Sequence, residues 1–202
     1  MKRVPLMGVV LLCSLFASTA QATVELRNIS VKEQVELESG RPIERRFELP
    51  YKGTKYLAAV SYGVLNTSCE RSALLWTDPG KHLAKALPAT RDVELVERSS
   101  QRTRLRVTHG NALVQGSWSA TYRVSADGNT ARFWLDDKAP RDVKDVFGYF
   151  RLSPWGERGC LVTAALAVDP GDGLASMFRS VIHNYLVRTA ARIQRYVRKQ
   201  HL

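Results

Sequence analysis

The chain has 202 residues, with 30 Lys plus Arg against 19 Asp plus Glu and a formal net charge of +11. The basic residues are scattered rather than packed into one tract, which favours solubility and weak attraction to anionic surfaces over nucleic-acid binding. The three cysteines lack neighbouring histidines at ligand spacing and there is no G-x-S-x-G elbow, so neither a clustered zinc site nor serine catalysis has support.

Lys2 and Arg3 precede an apolar run from Val4 to Phe16 and a small-residue site at Ala20-Gln21-Ala22, the layout of a secretory signal peptide over residues 1–22. The run is shorter than the ~20 residues needed to span a bilayer. Leu12 before Cys13 does not fit a lipobox. Cleavage leaves 180 residues starting at Thr23, the size of one domain, with 28 basic and 19 acidic residues and a charge of +9. It also leaves Cys69 and Cys160 as an even pair in an oxidising compartment, periplasmic or extracellular.

Residues 23–55 read as a polar N-terminal extension with strand-like stretches at Val24 to Ile29 and Ile43 to Leu49, interrupted by Pro50 and Gly53. Tyr56 to Leu65 is the first strand of the main domain, residues 56–202. Thr67-Ser68-Cys69-Glu70 has the form of a capping box and starts a short helix that Asp78-Pro79-Gly80 ends; a second helical turn covers His82 to Leu87. After Pro88 the period becomes two. Strands are expected at Val93 to Arg98, Arg102 to Thr108, Leu113 to Val124, Ala131 to Asp136, Val146 to Leu152 and Cys160 to Val168. Short turn-like separators, including His109-Gly110-Asn111, make them antiparallel neighbours.

From Gly173 to the C-terminus the spacing predicts one long amphipathic helix. Its apolar face runs from Leu174, Met177 and Phe178 through Val181, Ile182, Tyr185 and Leu186 to Ile193, Tyr196 and Val197, and Arg179, Arg188, Arg192, Arg195, Arg198 and Lys199 lie opposite. That stripe needs an apolar partner, and nearly everything upstream is strand.

Several groups invite a chemical reading. Asp136, Asp137, Asp142 and Asp145 are interleaved with Lys138, Arg141 and Lys144, and no glycine stands where a calcium loop needs it, so the run reads as a solvated hairpin and no metal is expected. His109 falls in a turn and His201 at the end of the chain. His183, beside the apolar stripe, is a candidate for the rim of a pocket, and Tyr149 and Tyr185 are the other weak candidates for proton transfer.

The order of strand, two short helices, six-strand meander and long C-terminal helix resembles the helix-grip fold of the START-like superfamily, which includes polyketide cyclases, lipid-transfer domains and coenzyme Q-binding proteins. The resemblance spans Tyr56 to Val197. It is carried by Val64-Leu65-Asn66-Thr67-Ser68-Cys69-Glu70 with Trp76-Thr77-Asp78-Pro79, by Gly148-Tyr149-Phe150-Arg151-Leu152, and by Val168-Asp169-Pro170-Gly171. It implies an α+β fold in which a seven-stranded curved antiparallel sheet, with two short helices after its first strand, grips the long C-terminal helix.

The resemblance further implies a cavity for an apolar ligand between sheet and helix; a dry, filled core is the alternative. Alternation puts Gly148, Phe150 and Leu152 on one strand face, which the resemblance turns inward, opposite Phe178, Val181, Ile182 and Tyr185 of the helix. Because the first and last strands of that fold are neighbours, it also implies a disulfide between Cys69 and Cys160. The expected function is that of an exported binding or transport protein for a lipid or other hydrophobic small molecule. Transient contact with an anionic membrane surface is expected, but no nucleic acid and no cofactor. A polyketide cyclase or dehydratase using the same cavity is the runner-up.

Overall fold

A computed structural model describes residues 29–87, 89–99, 103–110, 115–157, 159–172 and 178–200. The expected signal peptide and its cleavage site lie outside the described residues, as do Leu174 and Met177 of the expected helix. Among the described residues there are eight strands in one sheet and five helices: α1 (Val31–Glu38), β1 (Ile43–Tyr51), β2 (Thr54–Leu65), α2 (Cys69–Thr77), α3 (Pro79–Ala86), β3 (Thr90–Arg98), β4 (Thr103–Gly110), β5 (Gln115–Val124), β6 (Thr130–Leu135), β7 (Asp145–Trp155), β8 (Gly159–Asp169), α4 (Arg179–Val187) and α5 (Thr189–Gln200). The sheet order is β1-β2-β8-β7-β6-β5-β4-β3, and every pair is antiparallel.

The sheet thus has eight strands rather than the expected seven. Ile43–Tyr51 pairs with Thr54–Leu65 along its whole length, from Ile43 opposite Tyr62 to Tyr51 opposite Thr54. Gly53, expected to interrupt the chain, instead makes the hairpin turn with Lys52; the two have positive φ, 74° and 49°. Pro50 is tolerated because β1 is an edge strand. On the outer face of the sheet, Leu37 of α1 packs with Ile43, Val60, Tyr62 and Leu161. A full capping box between Ser30 and Glu33 starts α1, and Glu33 also receives the Arg45 guanidinium at 2.6 Å, tying the helix to β1. These two interactions hold the Glu33 carboxyl down at about 2.

On the inner face lies the larger core, where α2, α3 and α5 cover β2, β8, β7 and the strands beyond them. The cap of α2 is Ser68, not Thr67: the Ser68 hydroxyl accepts the Arg71 N–H at 3.3 Å. Pro79 occupies the first turn of α3 and starts it three residues before the expected His82, because a proline there gives up only an N–H that has no helical partner. Leu65 stands opposite Cys160 in the β2–β8 ladder, and four residues later Cys69 closes a disulfide to Cys160, with Cα atoms 5.0 Å apart.

The single C-terminal helix expected from the spacing is two segments, α4 and α5, divided at Arg188. The division has a tertiary cause. The Ala190 N–H donates to the buried Ser61 hydroxyl at 3.1 Å instead of continuing the helical ladder, and the Thr189 hydroxyl donates to the Tyr185 carbonyl at 3.2 Å. Gly63 permits the approach, since a Cβ there would lie 3.3 Å from the Ala190 carbonyl oxygen. Beyond the break, α5 is seated firmly: Thr189, Ala190, Ile193, Tyr196 and Val197 are buried, and Arg192, Arg195, Arg198 and Lys199 face solvent. In α4 only Val187 is fully buried, so the two halves of one apolar stripe have different surroundings.

Candidate ligand cavity

Between α4 and the inner face of β3 to β8 lies a cavity of about 620 Å³. Strand alternation builds its walls. Leu105, Val107 and His109 project from β4, Trp118, Ala120 and Tyr122 from β5, and Phe133, Phe150 and Leu166 from the next three strands. Leu83 of α3 and Val181, Ile182, Tyr185 and Leu186 of α4 complete it. Trp76 of α2 stacks on Phe150 with ring centroids 4.9 Å apart, and Phe133 stacks on the same ring at 5.8 Å, so the aromatic floor is held in one orientation.

Of the residues expected from the sequence to line a ligand site, Phe150, Phe178, Val181, Ile182 and Tyr185 line this cavity. Three of them keep considerable exposure, Phe178 at 40%, Val181 at 41% and Tyr185 at 38%. Gly148 and Leu152 share the inward face but are not part of the wall. Although it faces inward, Gly148 opens no space beside Phe150: a Cβ there would lie 2.4 Å from the Ala165 carbonyl oxygen and 2.9 Å from Phe133 Cζ. Leu152 is buried in the continuous core.

The titratable candidates are also redistributed. Tyr149 sits on the opposite sheet face, packed in the outer cluster with Tyr62, where burial pushes its phenol up to about 12. His183 Nε2 lies 2.8 Å from the Ala58 carbonyl oxygen and fastens α4 to β2; it does not line the cavity. Tyr185 does. The carboxylates of the charged run already have partners, Asp136 with Arg104 at 2.7 Å, Asp142 with the Ser117 N–H at 2.7 Å and Asp145 with the Tyr56 hydroxyl at 2.8 Å, and of these three only Asp142 also borders the cavity. Among the described residues no group of three His, Cys, Asp or Glu is arranged to hold a metal ion.

His109 is the residue that the sequence reading missed. It belongs to β4 rather than to a turn, opposite Thr90 in the β3–β4 ladder, and it lines the cavity. Its Nδ1 is 3.2 Å from the Thr90 hydroxyl, and its ring stacks on Trp118 at 5.7 Å and 12°. Burial pulls its pKa from 6.5 down to about 4, so the imidazole is neutral at neutral pH. The signal lies in the i, i+2 spacing of Leu105, Val107 and His109, the last one residue beyond the expected strand end at Thr108.

Human StAR-related lipid transfer protein 5 superimposes with a TM-score of 0.61 at 11% identity, over 79% of this chain and 84% of that one. The fold is the START-like helix grip. The STAR-related lipid transfer protein of Xanthomonas axonopodis gives 0.55 at 15% identity, over 78% of this chain and 92% of that one. The Zhui aromatase/cyclase of a Streptomyces species gives 0.56 at 12% identity, over 78% and 93%. No protein-family model matches the sequence, and no curated protein matches it either. START-like neighbours therefore include both lipid-transfer proteins and aromatase/cyclases.

Proposed function

We propose that this chain is an exported protein that binds or carries a lipid or other hydrophobic small molecule in the cavity beneath α4. The observation that carries the reading is the cavity itself: about 620 Å³ of space with a predominantly apolar and aromatic wall, within the range of small-molecule sites. The lipid-transfer proteins among the structural neighbours support it. For the location, support comes from the Cys69–Cys160 disulfide, which suits an oxidising compartment, and from the signal-peptide pattern in residues 1–22; the mature chain then begins at Thr23. No described helix is long and apolar enough to cross a membrane. Exposed Phe178 and Val181, next to the cationic Arg179, favour brief contact of α4 with an anionic membrane surface during exchange.

The cyclase or dehydratase reading ranks second. His109 supplies it with a neutral imidazole in the cavity wall, but such chemistry asks for two or three convergent groups. Tyr122 is already committed, its hydroxyl donating to the Trp76 carbonyl at 3.3 Å. The decisive experiment is native mass spectrometry with lipid extraction on the purified mature protein, followed by titration with the neutral dye Nile red. Retained lipid or saturable uptake is expected. Ile182→Trp, which places a larger ring in the cavity wall, should weaken uptake about tenfold while leaving the circular dichroism unchanged. A wild-type protein that neither retains lipid nor takes up dye would refute the reading.

A further inference from the structure

Although the chain carries 30 Lys and Arg, none of them lines the cavity among the described residues. The charged side chains that do reach its wall are acidic, Asp142 and Asp172, and both are exposed. An ionised carboxylate or phosphate entering this space would be stripped of water with no cation to meet it, which is strongly unfavourable. One polar side chain, by contrast, is set into the apolar wall with its orientation fixed from two sides. The Thr90 hydroxyl holds His109 Nδ1, and the Trp118 ring fixes the plane of the imidazole. Nε2 has no protein partner among the described residues, so it is the atom left for a ligand.

Resting on the cavity-binding reading above, we propose that the site selects an uncharged amphiphile whose hydroxyl or keto oxygen hydrogen-bonds to His109 Nε2, and that it rejects fatty acids and phosphate-headed lipids. A hydroxyl fits whichever way the Thr90–His109 bond runs. If Thr90 donates to Nδ1, Nε2 carries the proton and donates to the ligand oxygen; if Nδ1–H donates to Thr90, Nε2 accepts the ligand hydroxyl. A keto oxygen is served by the first arrangement only. Thr90 is thus a positioning residue that acts through His109.

The test is displacement of Nile red from the mature protein at pH 8 by three ligands of equal chain length: 1-dodecanol, 1-chlorododecane and dodecanoate. One added hydrogen bond should favour the alcohol over the chloride by about 3- to 10-fold, and the ionised acid should compete at least about tenfold more weakly than the alcohol. His109→Leu should abolish the preference for alcohol over chloride. His109→Gln, which retains a hydrogen-bonding group, should restore part of it, and His109→Lys should turn the preference toward dodecanoate. Thr90→Val should weaken alcohol binding less than His109→Leu. Dodecanoate competing as well as dodecanol in the wild type, or an unchanged alcohol preference in folded His109→Leu or in Thr90→Val together with His109→Gln, would overturn the inference while leaving apolar binding standing. A wild type that takes up no Nile red would instead remove the cavity-binding reading, and this inference with it.

Discussion

Replacing both Cys69 and Cys160 with alanine should cost much of the stability of this domain without changing its fold. The cross-link spans 91 residues, and closing a loop of that length in the unfolded chain corresponds to about 4 to 5 kcal/mol by the chain-entropy model. That is a large share of the ~5 to 15 kcal/mol available to a typical domain. Both sulfurs also belong to the inner core, Cys160 fully buried and Cys69 packed against it, but the backbone around them has its own supports. Leu65 remains opposite Cys160 through the β2–β8 ladder, and Ser68 still caps α2, so the strand-to-helix corner keeps its geometry. With urea slopes of about 1 to 3 kcal/mol/M, the unfolding midpoint should fall by roughly 2 M. Urea titration followed by far- and near-ultraviolet circular dichroism tests this on the oxidised wild type, the wild type with reductant and the double variant. The latter two should both fall well below the oxidised wild type, the double variant slightly lower for the buried sulfurs it lacks, and both should show native spectra before the transition. Two free thiols in wild-type protein prepared without reductant, or a loss below about 1 kcal/mol in the double variant, would refute the reasoning.

Gly148→Ala should destabilise the domain by about 1 to 3 kcal/mol, because its new methyl would overlap the Ala165 carbonyl oxygen of the paired strand as well as the Phe133 ring; an unchanged thermal midpoint would show that β8 yields freely there. Acidification should weaken the fold through His109. Its folded pKa, about 4, lies below the unfolded 6.5, so the unfolded chain takes up the proton first. The contribution is complete above pH 6.5 and is lost as pH falls through 4, by roughly 1 to 2 kcal/mol once the partial exposure of the ring is allowed for. His109→Leu should flatten the stability profile between pH 6.5 and 4. The corresponding loss from Glu33, held at about 2, falls mostly lower, as pH drops from 4.5 through 2.

Most of the fold could be read from local chemistry. Alternating side chains and polar turns placed the six strands after Pro88 to within a few residues, and Ser68 and Pro79 sit close to the expected helix starts. The departures arose where a distant group decided the outcome. In β1 the alternation of Ile43, Phe47 and Leu49 with Glu44, Arg46 and Glu48 was partly visible, but its pairing depends on reading Lys52-Gly53 as a hairpin turn rather than a break. Nothing between Phe178 and Val197 marks Arg188 as the end of a helix. There is no glycine or proline in that stretch, and the break is made by the Ser61 hydroxyl, 129 residues earlier in the chain.

The cavity was legible as an expectation of the fold, whereas its wall was only half legible, for one physical reason: periodicity tells which way a side chain points but not how far away its neighbours are. Gly148 illustrates the limit. A glycine on an inward face suggests space, yet the absent side chain is the condition for Ala165 and Phe133 to come as close as they do. His109 shows the converse, since its inward direction follows from Leu105 and Val107, but its importance depends on Thr90 and Trp118 arriving from two neighbouring strands. The same holds along the last helical stripe. Ile193 and Val197 are buried because α5 lies on β2, while Val181 and Tyr185, on the same sequence period, border space that the sheet leaves unfilled. A uniform stripe thus covers two kinds of surface: α4 and α5 both rest on β2, through His183 on Ala58 and through Ala190 on Ser61, but only α5 turns the stripe wholly into the core. The stripe therefore changes role along its length, from cavity wall at Val181 and Tyr185 to packed core at Ile193 and Val197, with Thr189 at the junction touching both.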